Sequence, residues 1–174
     1  MKFLLLNILG FKVVWWALIY FASLNKPWIG IAISCVWAIA HLIVSKFTRL
    51  DVLTGFLSVV VGFIVESSCQ FFGGYKFLMA SYAEQGMPLW LVMLWFCFGL
   101  LLNHSLSWIK SPVLAIISFG ISGPICYKVV SIFGLISVSE SLYPIIVIAG
   151  CWIAAGLIFS QNTRRVLALT KNRT

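Results

Sequence analysis

Charge is scarce in this sequence. Only 9% of its 174 residues are Asp, Glu, Lys or Arg, and only four of those are acidic, whereas 62% are hydrophobic. Soluble domains average about a quarter charged residues, so the composition excludes a soluble globular protein. No polar stretch is long enough to fold as a separate aqueous domain, and residues 1–174 read as one integral membrane domain. The nucleotide fingerprints GxxxxGK[ST] and GxGxxG are missing, so no ATP- or NAD-driven activity and no cofactor are expected. HxxxH, ExxH and HExxH spacings are missing too, which argues against a metal site. Five cysteines, Cys35, Cys69, Cys97, Cys126 and Cys151, lie in apolar segments without CxxC spacing and read as small hydrophobes, not a disulfide framework. The N-terminal apolar run lacks a small-x-small cleavage site and is kept as a first span.

What is present is a series of apolar runs of membrane-spanning length. Six spans are expected, at about 3–23, 27–46, 52–72, 88–110, 112–133 and 142–160, followed by a basic tail over 161–174. The fold class is therefore all-α, a polytopic helical bundle. Pro27 and Pro112 suit first helical turns, and Gly73-Gly74 suits a helix end. Residues 75–87 are aromatic, semi-polar and too short to span, and read as an interfacial loop. Gly123-Pro124 in the fifth span predicts a kink or break.

The net charge of +8 does not point to nucleic acid, because the basic residues gather at span ends. Six spans place Lys2, Lys46, Arg49, Lys110, Arg164, Arg165, Lys171 and Arg173 on one side, against Lys26 and Lys76 on the other. The positive-inside rule then puts both termini in the cytoplasm.

Polar side chains inside the spans are functional candidates by default. Span two carries Ser34, Ala38, His41 and Ser45 on one face, and span three a stripe of Gly55, Ser58, Gly62, Glu66, Cys69 and Gln70. Glu66 is the one carboxylate deep in a span. One layer contains Glu66 and Lys128, which could form an ion pair, with Tyr127 beside Lys128 and the isolated Lys12 nearly central in span one. A second layer contains His41, Asn103 and His104, able to relay protons, hold a polar head group, or simply tie helices together. Asp51 reads as a helix-start residue.

Asn7 with Trp16, Pro27-Trp28-Ile29-Gly30, Glu66-Ser67, Pro88-Leu89-Trp90 with Leu94-Trp95, Leu102-Asn103-His104-Ser105-Leu106-Ser107-Trp108, and Gly123-Pro124 with Tyr127 together resemble a bacterial inner-membrane family catalogued as domain of unknown function 2878. The resemblance covers nearly the whole chain, and the LNHSLSW segment and Gly123-Pro124 with Tyr127 are its most specific parts. It implies a multi-span inner-membrane protein without an assigned activity. Through the fatty-acid-modifying methyltransferase-like genes that tend to neighbour its relatives, it leans toward lipid chemistry. The expectation is a bundle that binds or modifies a lipid or other amphiphile, as an enzyme or its membrane partner. Glu66 and His104 are the catalytic candidates, and Asn103, Gln70, His41, Tyr127 and Lys128 the ligand-binding ones. A small transporter or substrate-capture subunit is the alternative, and a structural subunit held to a membrane protein partner the third reading.

Overall fold

The computed structural model describes residues 2–79 and 86–171, with side chains over 4–79 and 86–168. It is all-helical apart from one two-stranded ribbon. Helices α1 (Lys2–Ser23), α2 (Pro27–Val44) and α3 (Thr48–Phe71) follow one another through short turns. Strand β1 (Lys76–Phe77), helix α4 (Leu89–Gly99), a 3-10 turn (Ser107–Lys110), helix α5 (Pro112–Ile132), strand β2 (Ile136–Ser137) and helix α6 (Leu142–Lys171) complete the described chain.

Five helices, all but α4, are long and apolar enough to cross a membrane. Their outward faces are greasy: Val36, Ile43, Phe71 and Ile132 are 69–84% exposed. Such a surface far exceeds what water tolerates on a monomer and suits hydrocarbon. The molecule is a membrane helical bundle.

The helix ends follow from local chemistry. Gly73 (φ 72°) and Gly134 (φ 71°) adopt the left-handed conformation after α3 and α5. There the Gly74 and Leu135 amides donate to Cys69 O and Val130 O, satisfying carbonyls the helix leaves open. Asn25 (φ 57°) closes α1 in the same way, with the Lys26 amide donating to Phe21 O at 2.8 Å.

Four expectations need correction. The fourth span is not one helix over 88–110: α4 stops at Gly99, and residues 100–106 form consecutive turns before the 3-10 turn. Asn103 and His104 therefore project from irregular backbone. That backbone satisfies itself through short-range bonds, such as Leu102 N to Gly99 O (3.2 Å) and Leu106 N to Leu101 O (3.0 Å), and Leu100 to Asn103 are buried in protein. Irregular chain at membrane depth is tolerable only when buried in this way. The fifth span is not broken, since α5 runs as one helix through Pro124. The tail beyond Ser160 continues α6 to Lys171, because nothing in Gln161–Lys171 breaks a helix. Its Arg164 Nε and Ser160 Oγ donate to Lys110 O at 2.7 and 3.1 Å, holding the end of the 3-10 turn against α6. Finally, the loop after α3 contains β1, which pairs antiparallel with β2 through Lys76 with Ser137 and Phe77 with Ile136. Residues 80–85 of that loop, and Met1 and 172–174 at the ends, lie outside the described residues.

Candidate functional site

Helix α3 carries both polar centres, separated by roughly four turns, about 22 Å at 1.5 Å per residue. The first lies near its C-terminal end. Glu66 is 3% exposed. Its Oε2 accepts hydrogen bonds from Tyr75 and Tyr127, each at 2.7 Å, and its Oε1 accepts one from Trp95 Nε1 at 3.0 Å. A carboxylate offers about four acceptor directions, so three neutral donors leave room for one more. The donors come from the post-α3 segment, α4 and α5, and the small residues of α3 make the approach possible. A Cβ at Gly62 would lie 2.4 Å from the Trp95 ring.

Beside Glu66 opens a cavity of about 190 Å³, walled by aromatic rings from several elements: Trp15, Trp90, Trp95, Trp152, Tyr75 and Tyr127 among them. Tyr75 and Tyr127 pack at 5.0 Å between centroids, and Trp95 and Trp152 at 5.4 Å. Phe77 and Ile136, from the β-ribbon, line the same space, so the ribbon helps to close one end. Of the lining side chains only Glu66 carries a carboxyl group.

Three expected members stand apart. Lys128 is exposed, and among the described residues no ion pair joins it to Glu66. Neighbouring positions on a helix point about 100° apart, so with Tyr127 turned inward Lys128 is carried out. Gln70 donates to the Glu66 backbone carbonyl at 3.3 Å and is not part of the cavity wall. Lys12 is exposed on α1.

The second centre surrounds Asp51, fully buried in the first turn of α3. His104 Nε2 donates to its Oδ2 at 2.9 Å, His41 Nε2 lies 3.5 Å from the same oxygen, and the Ser45 hydroxyl donates to it as well. Asn103 Nδ2 donates to the other oxygen, Oδ1, at 2.9 Å and to Thr54 Oγ1 at 3.1 Å. Behind His41, Asn7 Nδ2 donates to Nδ1 at 3.1 Å, and the Ser105 hydroxyl donates to Asn7 Oδ1. With Nδ1 accepting, the neutral His41 ring carries its proton on Nε2, toward Asp51. Phe47 stacks on His104 at 5.9 Å, and the two imidazole rings meet edge to face at 5.2 Å. The turns after Gly99 make this network possible: released from helical spacing, Asn103, His104 and Ser105 reach three different partners.

The structure thus joins His41, Asn103 and His104, as their shared layer suggested, but around a carboxylate read from sequence only as a helix start. A signal for it existed. Asp51, Gly55, Ser58, Gly62 and Glu66 recur at helical spacing, so Asp51 continues the polar stripe of α3 by one turn. Trp95 and Tyr75 gave no such sign, since an indole or phenol in an apolar segment reads as packing. The residues His41, Asp51 and His104 place one potential metal-ligating atom each within 4.8 Å of one another. No sequence spacing announces this set, because its members come from α2, α3 and the turns after α4.

A family model described as "Protein of unknown function (DUF2878)" matches residues 4–157, a range containing every residue of both centres. No curated protein and no solved structure matches the chain.

Proposed function

The chain belongs to the DUF2878 family, and we propose that it binds an amphiphile in the membrane, taking the polar end of that molecule into the aromatic cavity at Glu66. The observation that supports this reading is a single carboxyl group in a wall that is otherwise aromatic and aliphatic apart from Ser122 and Cys126. Aromatic faces attract cations, and a carboxylate with a remaining acceptor direction takes an N–H or O–H donor. An ammonium-bearing head satisfies both, and a hydroxyl-bearing head the second. Size narrows the occupant further. A cavity near 190 Å³ exceeds the roughly 150 Å³ that holds a benzene ring, yet falls below the ~300–1,000 Å³ of sites that engulf drug-sized ligands. A head group or short segment enters, and the rest of the amphiphile stays in the bilayer. In this reading Glu66 is the head-group contact, or the acid or base if the bound molecule is modified, and the bacterial inner membrane is the place of action.

The test is native mass spectrometry of protein purified in mild detergent, comparing the parent with Glu66→Gln. Glutamine keeps the size but turns an amide nitrogen toward one of the donors. A defined small amphiphile on the parent, lost from the variant, is the expected result. The same bulk phospholipid on both would overturn the proposal.

A second reading, a small transporter or substrate-capture subunit, draws on the interruption of the fourth span at Gly99, because discontinuous helices line transport sites. Uptake of a water-soluble solute into vesicles containing the protein would favour it over a lipid-binding role.

A further inference from the structure

We propose that His41, Asp51 and His104 form a binding site for one divalent transition-metal ion, zinc or iron(II). The site is separate from the Glu66 cavity and does not rest on the reading given for it.

Donor chemistry comes first. Two imidazoles with one carboxylate is a set used by borderline metals, whereas calcium and magnesium prefer all-oxygen cages. Spacing comes second. Ligands about 2.0–2.1 Å from a tetrahedral ion stand roughly 3.3–3.4 Å from one another. Here the His104 and His41 Nε2 atoms lie 2.9 and 3.5 Å from Asp51 Oδ2, and all three ligating atoms fall within 4.8 Å. Both rings present the same nitrogen, Nε2, to the shared oxygen.

The surroundings fit as well. Metal-bound histidines have their remaining ring nitrogen held by a hydrogen bond. That of His41 is held by Asn7, itself tied to Ser105. An Asn side chain offers a donor or an acceptor by turning its amide, and a serine hydroxyl serves in either role. The pair therefore suits both the metal-free ring, protonated on Nε2, and the metal-bound ring, protonated on Nδ1. Asn103 supplies an independent sign. It is 7% exposed, its Nδ2 is on Asp51, and its Oδ1 is buried without a hydrogen-bond partner among the described residues. A buried amide oxygen left so costs stability, and a bound cation or its coordinated water would satisfy it. Three protein ligands leave at least one position open for that water. The cluster is not wholly sealed, since the His104 side chain is 8% exposed.

The ligands are separated along the chain, so a bound ion would clamp the end of α2, the start of α3 and the turns after α4. Metal binding and stability are then linked.

The experiment uses the full chain in detergent, stripped with a chelator and then equilibrated with zinc or, anaerobically, with iron(II). Bound metal is measured by plasma mass spectrometry and affinity by titration calorimetry. One equivalent per chain of either metal is expected, with a higher thermal midpoint than in chelator; the metal that binds decides between the two. His104→Ala and Asp51→Ala are expected to lose the ion. Asn7→Ala is expected to weaken it about ten- to a hundredfold, as for an outer-shell partner, and Lys128→Ala, on the exposed face of α5, to leave it unchanged. Less than a tenth of an equivalent on the parent chain overturns the proposal whatever the variants do. So does binding that survives His104→Ala undiminished in a folded protein.

Discussion

Two phenols share one oxygen of Glu66, and this makes their contributions interdependent. Tyr75 and Tyr127 both donate to Oε2 at 2.7 Å, while Trp95 alone serves Oε1. Tyr127→Phe keeps the ring and deletes one donor, and should lower stability by about 1–3 kcal/mol, the range for hydrogen bonds to charged groups and for partly desatisfied buried ones. Tyr75→Phe should cost a similar amount. The double variant should cost more than the sum, because each single loss is cushioned by the remaining phenol on the same oxygen. Denaturant unfolding in detergent of the four proteins checks this; strict additivity would mean the two bonds do not act as a unit. How much of the centre could be read from sequence follows the same logic. Glu66 stood out because a lone carboxylate in a span is costly without partners. Of its partners Tyr127 was read into the same layer, whereas Tyr75 and Trp95 could not be, because which indole or phenol turns toward it depends on how α4 and the segment after α3 pack, and each of those side chains has an ordinary apolar role as well.

At the scale of elements, the close crossing of α3 and α4 governs both centres. A Cβ at Gly99 would lie 2.7 Å from Gly55 Cα and 2.7 Å from Thr54 O, backbone atoms that cannot move aside. Gly99→Ala should therefore push the helices apart and cost about 1–3 kcal/mol, as overpacking does. The displacement would also draw Asn103 from Asp51 and Thr54, four residues on. Gly150, inside α6 with nothing among the described residues within 4 Å of an added Cβ, should behave oppositely. Gly150→Ala there should gain roughly 0.5–1 kcal/mol by helix preference alone. Thermal unfolding of the two variants side by side tests the contrast, and equal effects would refute the crossing argument. Gly99 is also where the sequence was hardest to read. Apolar residues continue to Leu102, and hydropathy averaged over a span does not register a change of backbone. What ends the helix is the close packing at Gly99 together with the pull of Asp51, Thr54 and Asn7 on the three polar side chains that follow, all contacts between segments distant in the chain. By contrast, the bounds of α1, α2 and α3 were legible to within a few residues, since prolines, a glycine pair and plain length decide them.

For the whole molecule, the path of the interrupted fourth segment decides the topology. Trp95 meets Glu66 near one end of α3, and Asn103 meets Asp51 near the other. A helix of 11 residues followed by turns thus traverses most of the length of α3, although it is too short to be counted among the five long apolar helices. If that traverse is a membrane crossing, the chain crosses six times and its ends share a side. Lys26, after the first crossing, and Arg165, after the last, should then face opposite sides, both positions being exposed. The positive-inside rule predicts an orientation with the Arg165 end cytoplasmic. Lys26→Cys and Arg165→Cys, each in a background whose own five cysteines are replaced, can be labelled in cells that display the protein's outer side with a membrane-impermeant maleimide. Lys26→Cys should react in intact cells and Arg165→Cys only after permeabilisation. Reaction of both in intact cells would mean an odd number of crossings between them had been replaced by an even one, and α4 with its turns would then be a re-entrant segment. The consequence reaches both centres. With α1 starting on the cytoplasmic side, as the positive-inside rule predicts, the Glu66 cavity would lie toward the outer leaflet and the Asp51 cluster beside the cytoplasm, so that a metal ion would be supplied from inside the cell and an amphiphile from the opposite half of the bilayer.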